Sequence, residues 1–417
     1  MLPDGWHRST LGEIARISSG GTPDRGEPSY WGGEVPWVTT GEIQFNTITA
    51  TTEKITEVGL KNSSAKLFPP GTLLMAMYGQ GKTRGQVAKL GIEASTNQAC
   101  AAILLNEDHD TDFFFQYLSS QYEAVRELGN AGTQQNLSGG ILKEVPVPVP
   151  PLPEQRRIAR VLSTWDQAIS TTERLLANSR KHKQILSHQV LTGKRRLRRF
   201  GEQQGHQSTS HGQIPKHWKF LPIRDVAEEV SSKLGSGSPH PVLSCTKHDG
   251  LVDSLSYFNK QVFSADTSTY KVAPRSCFVY ATNHIEEGSI GYQNLYDFGL
   301  VSPMYTVFKT DSSVCDGYLY RLLKTEHYRQ IFAAATNASV DRRGSLRWNE
   351  FKKLNIPLPP HGEQEAIASL LASAEREIDL LKFQLKSLQT EKAALMAQLL
   401  TGKRRVRLPK PEAELAP

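Results

Sequence analysis

The sequence predicts a mixed α/β (α+β) protein made twice over. Two globular domains are each followed by one long helix, and the helices pair as an antiparallel coiled coil with pseudo-twofold symmetry. Three observations predict this. Residues 154–196 and 363–405 align without a gap at an offset of 209, with 16 of 43 positions identical, each opening on Glu-Gln and closing on LTGKRR. Both segments carry a heptad pattern. Each follows a Pro-rich, strand-like run, VPVPVPPLPEQ (145–155) and LNIPLPPHGEQ (354–364). Solenoid units are only about 20–50 residues long. A period this long therefore means two domains.

The seam positions of the first helix are Ile158, Leu162, Trp165, Ile169, Thr172, Leu176, Ser179, Lys183, Leu186 and Val190. The second carries Ile367, Leu371, Ala374, Ile378, Leu381, Leu385, Leu388, Lys392, Leu395 and Leu399 at the same places. Sustained apolar residues at alternating steps of four and three make a seam for a partner helix. Proline before each start (Pro153, Pro360) and glycine past each end (Gly193, Gly402) are the expected punctuation. Each helix would run about 39 residues, roughly 58 Å. The first is net +4 and the second net −2, which favours the hetero-pair over two homo-pairs. The alternative is two separate helices, each packed on its own domain.

The rest of the chain divides around these helices. Residues 1–150 form the first domain and 151–200 the central helix region. Residues 201–213 (GEQQGHQSTSHGQ) are polar, lack an apolar anchor and read as a linker. Residues 214–358 form the second domain and 359–405 the distal helix region. Residues 406–417 form a Pro/Glu-rich tail that reads as disordered. Both domains open alike, with Pro3 and Trp6 lying 212 residues before Pro215 and Trp218. Strands are expected at 73–78, 101–105 and 145–149, and again at 276–282 and 304–309. Amphipathic helices are expected at 113–129 and 317–335. The loops on this frame diverge, YGQGKTRGQVAKLG against NHIEEGSIGYQNLY. One frame with two sets of loops suggests one binding task performed on two targets.

Composition narrows the class. No run of 18 apolar residues is present, so no membrane span is expected. The first residues lack a signal-peptide apolar core. Cys100, Cys245, Cys277 and Cys315 show no CxxC spacing and read as reduced, mostly buried thiols of a cytosolic protein, without zinc. Lysine and arginine exceed aspartate and glutamate by 7, and the excess is clustered. One cluster, including Arg195 and Arg196, follows the central helix; another, including Arg404 and Arg405, follows the distal helix. Such clusters suit phosphate backbones or partner surfaces. They also complement a helix C-terminus.

Catalytic motifs are decoys. Ala76 to Thr83 fits a permissive phosphate-loop pattern, but its first position is not glycine and Gly85 sits where a helix should begin. A Gly-rich basic loop approaching a phosphodiester backbone is a better use of Tyr78, Gln80, Lys82 and Arg84. Glu350-Phe351-Lys352 matches a fragment of a metal-nuclease motif without an upstream Pro-Asp. No Asn/Asp-Pro-Pro-aromatic methyltransferase loop occurs, and no histidine pair has ligand spacing. No catalytic residue and no metal ligand is assigned. Candidate nucleic-acid contacts are instead Thr39, Thr40, the 78–84 loop, Thr133, Gln134, Gln135 and Asn136 in the first domain. In the second they are Thr282, Asn283, His284, Arg342, Arg343 and Arg347. Thr, Asn, Gln and Arg are the types that read base edges and phosphates. Asn136 and Ser345 also fit as caps of the turn entering the next segment.

These features together resemble the specificity subunit of type I restriction–modification systems, over nearly the whole chain. PDGWHRSTLGEI, IPKHWKFLPIRDV, the Gly20–Pro23 to Tyr30-Trp31 stretch, Val35-Pro-Trp-Val-Thr39 and PLPEQRRIARVL (151–162) carry the resemblance. The second half departs from it, lacking a counterpart of GGTP…YWGG and having HGEQ before its helix. The resemblance implies two target recognition domains, each reading half of a bipartite double-stranded DNA site. It implies helices that dock two modification (methyltransferase) subunits, contacted by the Arg195, Arg196, Arg404 and Arg405 clusters. Restriction (translocase/nuclease) subunits would join these. S-adenosylmethionine, ATP and magnesium would be used by those partners, with no cofactor bound by this chain, which would be non-catalytic and cytoplasmic. A helix of ~58 Å bounds the half-site separation at roughly 17 base pairs. The alternatives are a coiled-coil adaptor without direct DNA readout and a standalone nuclease–methyltransferase.

Overall fold

The computed structural model describes residues 2–79, 81–129, 136–200, 205–337 and 344–407. The chain divides into two units, Met1–Arg174 with Lys382–Pro417, and Leu175–Leu381. The division falls inside both long helices, the central helix Leu152–Leu191 and the distal helix His361–Leu399. Each unit therefore holds the beginning of one helix and the end of the other. Among the described residues, no helix is long and apolar enough to cross a membrane.

In the first unit a five-stranded sheet runs in the order Ala15–Ser19, Cys100–Leu105, Leu73–Ala76, Val87–Leu90, Thr47–Ile48. Its first four strands pair antiparallel and the last joins parallel. Leu73–Ala76 is buried throughout, because both faces of this central strand are covered. A four-stranded sheet contains Trp31–Val38. Its neighbourhood explains GGTP and YWGG: a Cβ on Gly20 would lie 2.0 Å from the Thr96 carbonyl oxygen, and the Trp37 indole donates to the Gly21 carbonyl. The motif marks a close backbone crossing.

The second unit repeats the frame. Its sheet Ala227–Glu229, Tyr305–Thr310, Phe278–Ala281, Ile290–Tyr292 reproduces the order and antiparallel sense of the first four strands. In both units the Pro-rich run pairs with the opening strand, Pro146–Val149 with His7–Thr10 and Asn355–Leu358 with Lys219–Pro222. Two-stranded ladders leave open edges, where proline's missing N–H is tolerated.

Three expectations need correction. The helix expected at 113–129 is two helices, Thr111–Ser120 and Tyr122–Leu128. The Ser119 and Ser120 hydroxyls turn back onto the Phe115 and Tyr117 carbonyls and compete with the next turn. The helix expected at 317–335 is likewise split into Asp316–Leu323 and Glu326–Asn337. There the Thr325 hydroxyl donates to Leu322 O and accepts from Tyr328 N, ending one helix and capping the next. Thirdly, the segment read as a linker is partly a hairpin, His206–Thr209 with Gly212–Pro215. Gln207 donates to the Lys216 and Trp218 carbonyls. His211, packed against Phe220 and Tyr328, is the anchor that an aliphatic search misses. The tail expected from 406 is described only to 407, and the rest lies outside the described residues.

The helices lie antiparallel within each unit. In the first, Asp166 pairs with Lys392 at 2.6 Å. In the second, the Ser179 hydroxyl donates to Glu377 at 2.9 Å and Lys183 pairs with Glu375 at 2.9 Å. The polar seam positions Ser179, Lys183 and Lys392 thus each bond the opposite helix. Lys183–Glu375 has the sign that the net charges suggest; Lys392–Asp166 has the reverse. Specific pairs, not bulk charge, set the contact.

Each helix start carries a buried carboxylate. Glu154, 1% exposed, accepts two bonds from Arg405, at 2.8 and 2.6 Å, and one from the Trp6 indole at 3.0 Å. Glu363, 1% exposed, accepts two from Arg196, both at 3.0 Å, and one from the Trp218 indole at 3.3 Å. The adjoining glutamines behave alike. Gln155 accepts from Asp110 N and donates to Pro150 O; Gln364 accepts from Cys315 N and donates to Pro359 O. Gly402 (φ +73°) lies against Pro3 and Trp6, and Gly193 (φ +70°) against Pro215 and Trp218. Both glycines need the left-handed region, and a Cβ would strike the proline ring. The cores follow suit: Ile158, Leu162, Leu399 and Leu400 join the first, and Val190, Leu191, Ile367 and Leu371 the second.

The four cysteines are free thiols. Burial pushes Cys100 and Cys245 up to about 12 and Cys277 to about 11.

Arg196→Ala should destabilise the second unit by roughly 3–5 kcal/mol, because it leaves Glu363 buried without its main partner. Urea unfolding measures this. Arg196→Lys should recover only part of the loss, since one ammonium cannot reproduce a bidentate fork. An unfolding free energy equal to wild type in Arg196→Ala would refute the clasp.

Candidate nucleic-acid interface

The divergent loops are pinned to the frame in the same way in both domains. The N–H of buried Leu137 donates to the Met77 carbonyl at 3.0 Å, and that of buried Leu346 to the Thr282 carbonyl at 2.7 Å. Met77 and Thr282 each directly follow the central strand, Leu73–Ala76 or Phe278–Ala281. The loop after that strand is thereby brought beside the end of the loop that precedes the Pro-rich run. The bonded residues lie 60 and 64 positions apart in sequence.

In the first domain the Gly-rich segment is a hairpin loop between the antiparallel strands Leu73–Ala76 and Val87–Leu90. Gly85 N donates to Ala76 O and Ala76 N to Gln86 O, closing the loop at its base. A phosphate loop needs a helix N-terminus after the loop; here a strand follows. The loop rests on the helix Tyr122–Leu128. The Tyr122 hydroxyl donates to Lys82 O at 2.5 Å, and Arg126 donates to Arg84 O at 3.2 Å. Lys82 is exposed, and so is Tyr78, at 43%. Arg84 is only 6% exposed and lies inward, near Gly129. Its expected role as a surface phosphate contact is therefore wrong; it supports the loop from beneath.

Other expected contacts fare unevenly. Asn136 is exposed, and the cap of the following helix is Ser138, which accepts from Ile141 N. Thr39 is tied into a capping box with Glu42, and Thr40 opens the turn Thr40–Glu42. In the second domain Asn283 and His284 are exposed, as is Arg347. Thr282 is buried, with its hydroxyl donating to Met304 O, so it holds the loop and presents nothing to solvent. Ser345 is also buried. Gln80, Thr133, Gln134, Gln135, Arg342 and Arg343 lie outside the described residues. Of the helix-end arginines, Arg195 and Arg404 are exposed. Arg196, largely covered, and Arg405, still exposed, are members of the internal clasps.

The structure adds residues the sequence did not suggest. The turn Lys247–Asp249, between strands Leu243–Thr246 and Gly250–Asp253, is exposed and lies beside the 283–289 loop. Lys324 donates to both Lys247 O (2.9 Å) and Gly288 O (2.8 Å). Burial holds its ammonium below the usual lysine range. The Asp249-Gly250 pair was the available signal, a hairpin-turn dipeptide. His284, Glu286 and Glu287 bring their ligand atoms within 4.8 Å of one another on the same loop. His284 and Glu287 form an exposed pair at 3.4 Å. Arg329 donates to Glu286 O, as Arg126 does to Arg84 O. In both domains a helix-borne arginine grips the loop through its backbone.

The family profile described as the type I restriction modification DNA specificity domain matches twice, over residues 3–178 and 215–390. The chain belongs to this specificity family. The two matches fall on the duplicated frame, each running from a domain's opening strand into its long helix. Among relatives, the MjaVIII specificity subunit of Methanocaldococcus jannaschii is 22% identical over 420 residues, covering 97% of this chain and 94% of that one. The MjaIX specificity subunit of the same organism is 27% identical over 248 residues, 57% of this chain but 54% of that protein. The chain thus spans about half the length of that relative and nearly all of the other. The S subunit of M. genitalium has the same fold, with a TM-score of 0.59 at 15% identity over 96% of this chain and 98% of that one. A chain from a study of type I restriction–modification complex assembly gives 0.55 at 17% identity, over 97% and 100%.

Titration of the purified chain with magnesium–ATP should give no saturable binding, with Lys82→Ala indistinguishable from wild type. Saturable binding lost in that variant would restore the phosphate-loop reading.

Proposed function

We propose that this chain is the DNA-reading, non-catalytic subunit of a type I restriction–modification complex. Each globular domain is a target recognition domain that reads one half of a bipartite double-stranded site. The paired helices dock two modification subunits and set the half-site spacing, and restriction subunits complete the assembly in the cytoplasm. S-adenosylmethionine, ATP and magnesium serve those partners. The observation that carries this reading is the paired loops pinned to the same point of a duplicated frame, with different residues displayed in each copy. Tyr78, Lys82 and Asn136 face solvent in one, and Asn283, His284 and Arg347 in the other. Membership of the specificity family supports it.

The decisive experiment maps methylation in cells with and without the gene. A bipartite motif should depend on the chain. Replacing residues 1–150 with a related domain of other specificity should change one half-site only. A change in both, from a folded protein, would defeat the modular reading. Inserting one heptad into both helices should lengthen the spacer and leave the half-sites unchanged.

Lys82→Ala should weaken binding of the assembled complex to DNA and lower the slope of log K against log salt by about 0.9, one phosphate contact. An unchanged slope would remove Lys82 from the interface.

A further inference from the structure

The two helix breaks sit at equivalent places in the two domains, and each carries a side chain that ties two loops together. In the second domain this is Lys324, which immediately follows the helix Asp316–Leu323. Its ammonium bridges Lys247 O and Gly288 O. Lys247 belongs to the exposed Lys247–Asp249 turn, and Gly288 to the loop that displays Asn283 and His284. In the first domain it is Tyr122, the first residue of the helix after the break. Its hydroxyl holds Lys82 O, while its ring packs edge-on against Phe45, centroids 5.3 Å apart. Phe45 lies in the loop between Thr40–Glu42 and Thr47–Ile48, in the left-handed region at φ 55°. A bulky residue is held there only by its surroundings.

We propose that Lys324 is a positioning residue for the second half-site, fixing the spacing between the Lys247–Asp249 turn and the 283–289 loop, and that Tyr122 does the same for the 39–46 and 81–85 segments of the first. The inference rests on the DNA-reading function proposed above. Its physical basis is that an ammonium has three donors and no acceptor. Held between two carbonyls of separate loops, it fixes their distance. Direct readout needs base-edge donors and acceptors placed to hydrogen-bond accuracy, so a loop pair free to drift accepts more than one base. Neither side chain need touch DNA for this. Among the described residues, the side chain at each junction contacts both loops.

The test uses the full chain assembled with its modification subunits, read by methylome sequencing and by competition binding at several salt concentrations. The half-site belonging to the second domain is first assigned by replacing residues 214–358. Lys324→Met should then relax that half-site, lowering its discrimination about tenfold, while the other half-site stays strict. The salt slope should not change, since no phosphate contact is lost. Lys324→Arg should restore most of the discrimination. Tyr122→Phe should relax the opposite half-site. Each variant's thermal transition is recorded beside these data. Strict motifs in both Lys324→Met and Tyr122→Phe would overturn the proposal, as would equal relaxation of both half-sites by either variant. If Lys324→Met does not fold, Tyr122→Phe and Lys324→Arg decide. A wild-type complex with no bipartite motif would instead defeat the DNA-reading function itself.

Discussion

The structure depends on two buried carboxylates. Glu154 and Glu363 stand at the starts of the long helices, where the helix N-terminus favours negative charge. Neither would be tolerated so deep without partners. Each takes an arginine from beyond the end of the other helix and an indole from the domain's opening strand region. One oxygen pair therefore joins three distant stretches of sequence. It fixes where the helix starts, which helix end lies beside it, and how the domain sits on both. A buried pair of this kind adds little net stability, because desolvation offsets the Coulomb attraction. Its value is that a helix pair slipped out of this register leaves a carboxylate stranded.

The same geometry accounts for the repeated words. Glu-Gln, the tryptophan near each domain's opening and LTGKRR are parts of one contact, recorded at three places in each half of the chain. The glutamine closes the Pro-rich turn by bonding the carbonyl five residues before it. The glycine allows the left-handed turn that carries the arginine back. Only the second arginine of KRR reaches the buried glutamate; the first stays outside. Adjacent residues of one motif thus serve the fold and the surface separately.

Much of this architecture was legible in the sequence because periodicity survives without tertiary information. The gapless repeat and the heptads located both long helices to within a residue or two, and continuous apolar runs located the central strands. The helix breaks were not legible. Both segments remain amphipathic through Gln121 and Lys324, and only hydroxyls competing for carbonyls end the helices. Loop contacts were the least legible. Lys82 and Arg84 are alike in the sequence, yet one is exposed and the other buried, because the tight turn at Gly85 and the helix beneath divide them. The Lys247–Asp249 turn was overlooked because nothing in its composition separates it from any other polar hairpin. What brings it beside the 283–289 loop is a lysine far along the chain.

The glycine–proline contact has a consequence for how such chains change over time. Gly193 meets Pro215 along a continuous stretch of polypeptide, whereas Gly402 meets Pro3 from the opposite end of the sequence. The contact is the same in both cases, so it is indifferent to whether a covalent path joins its two sides. Order along the gene is then a weakly constrained variable. Recombination can recut or rejoin the coding sequence between a helix end and the next domain's opening, and the products inherit an intact mechanical frame.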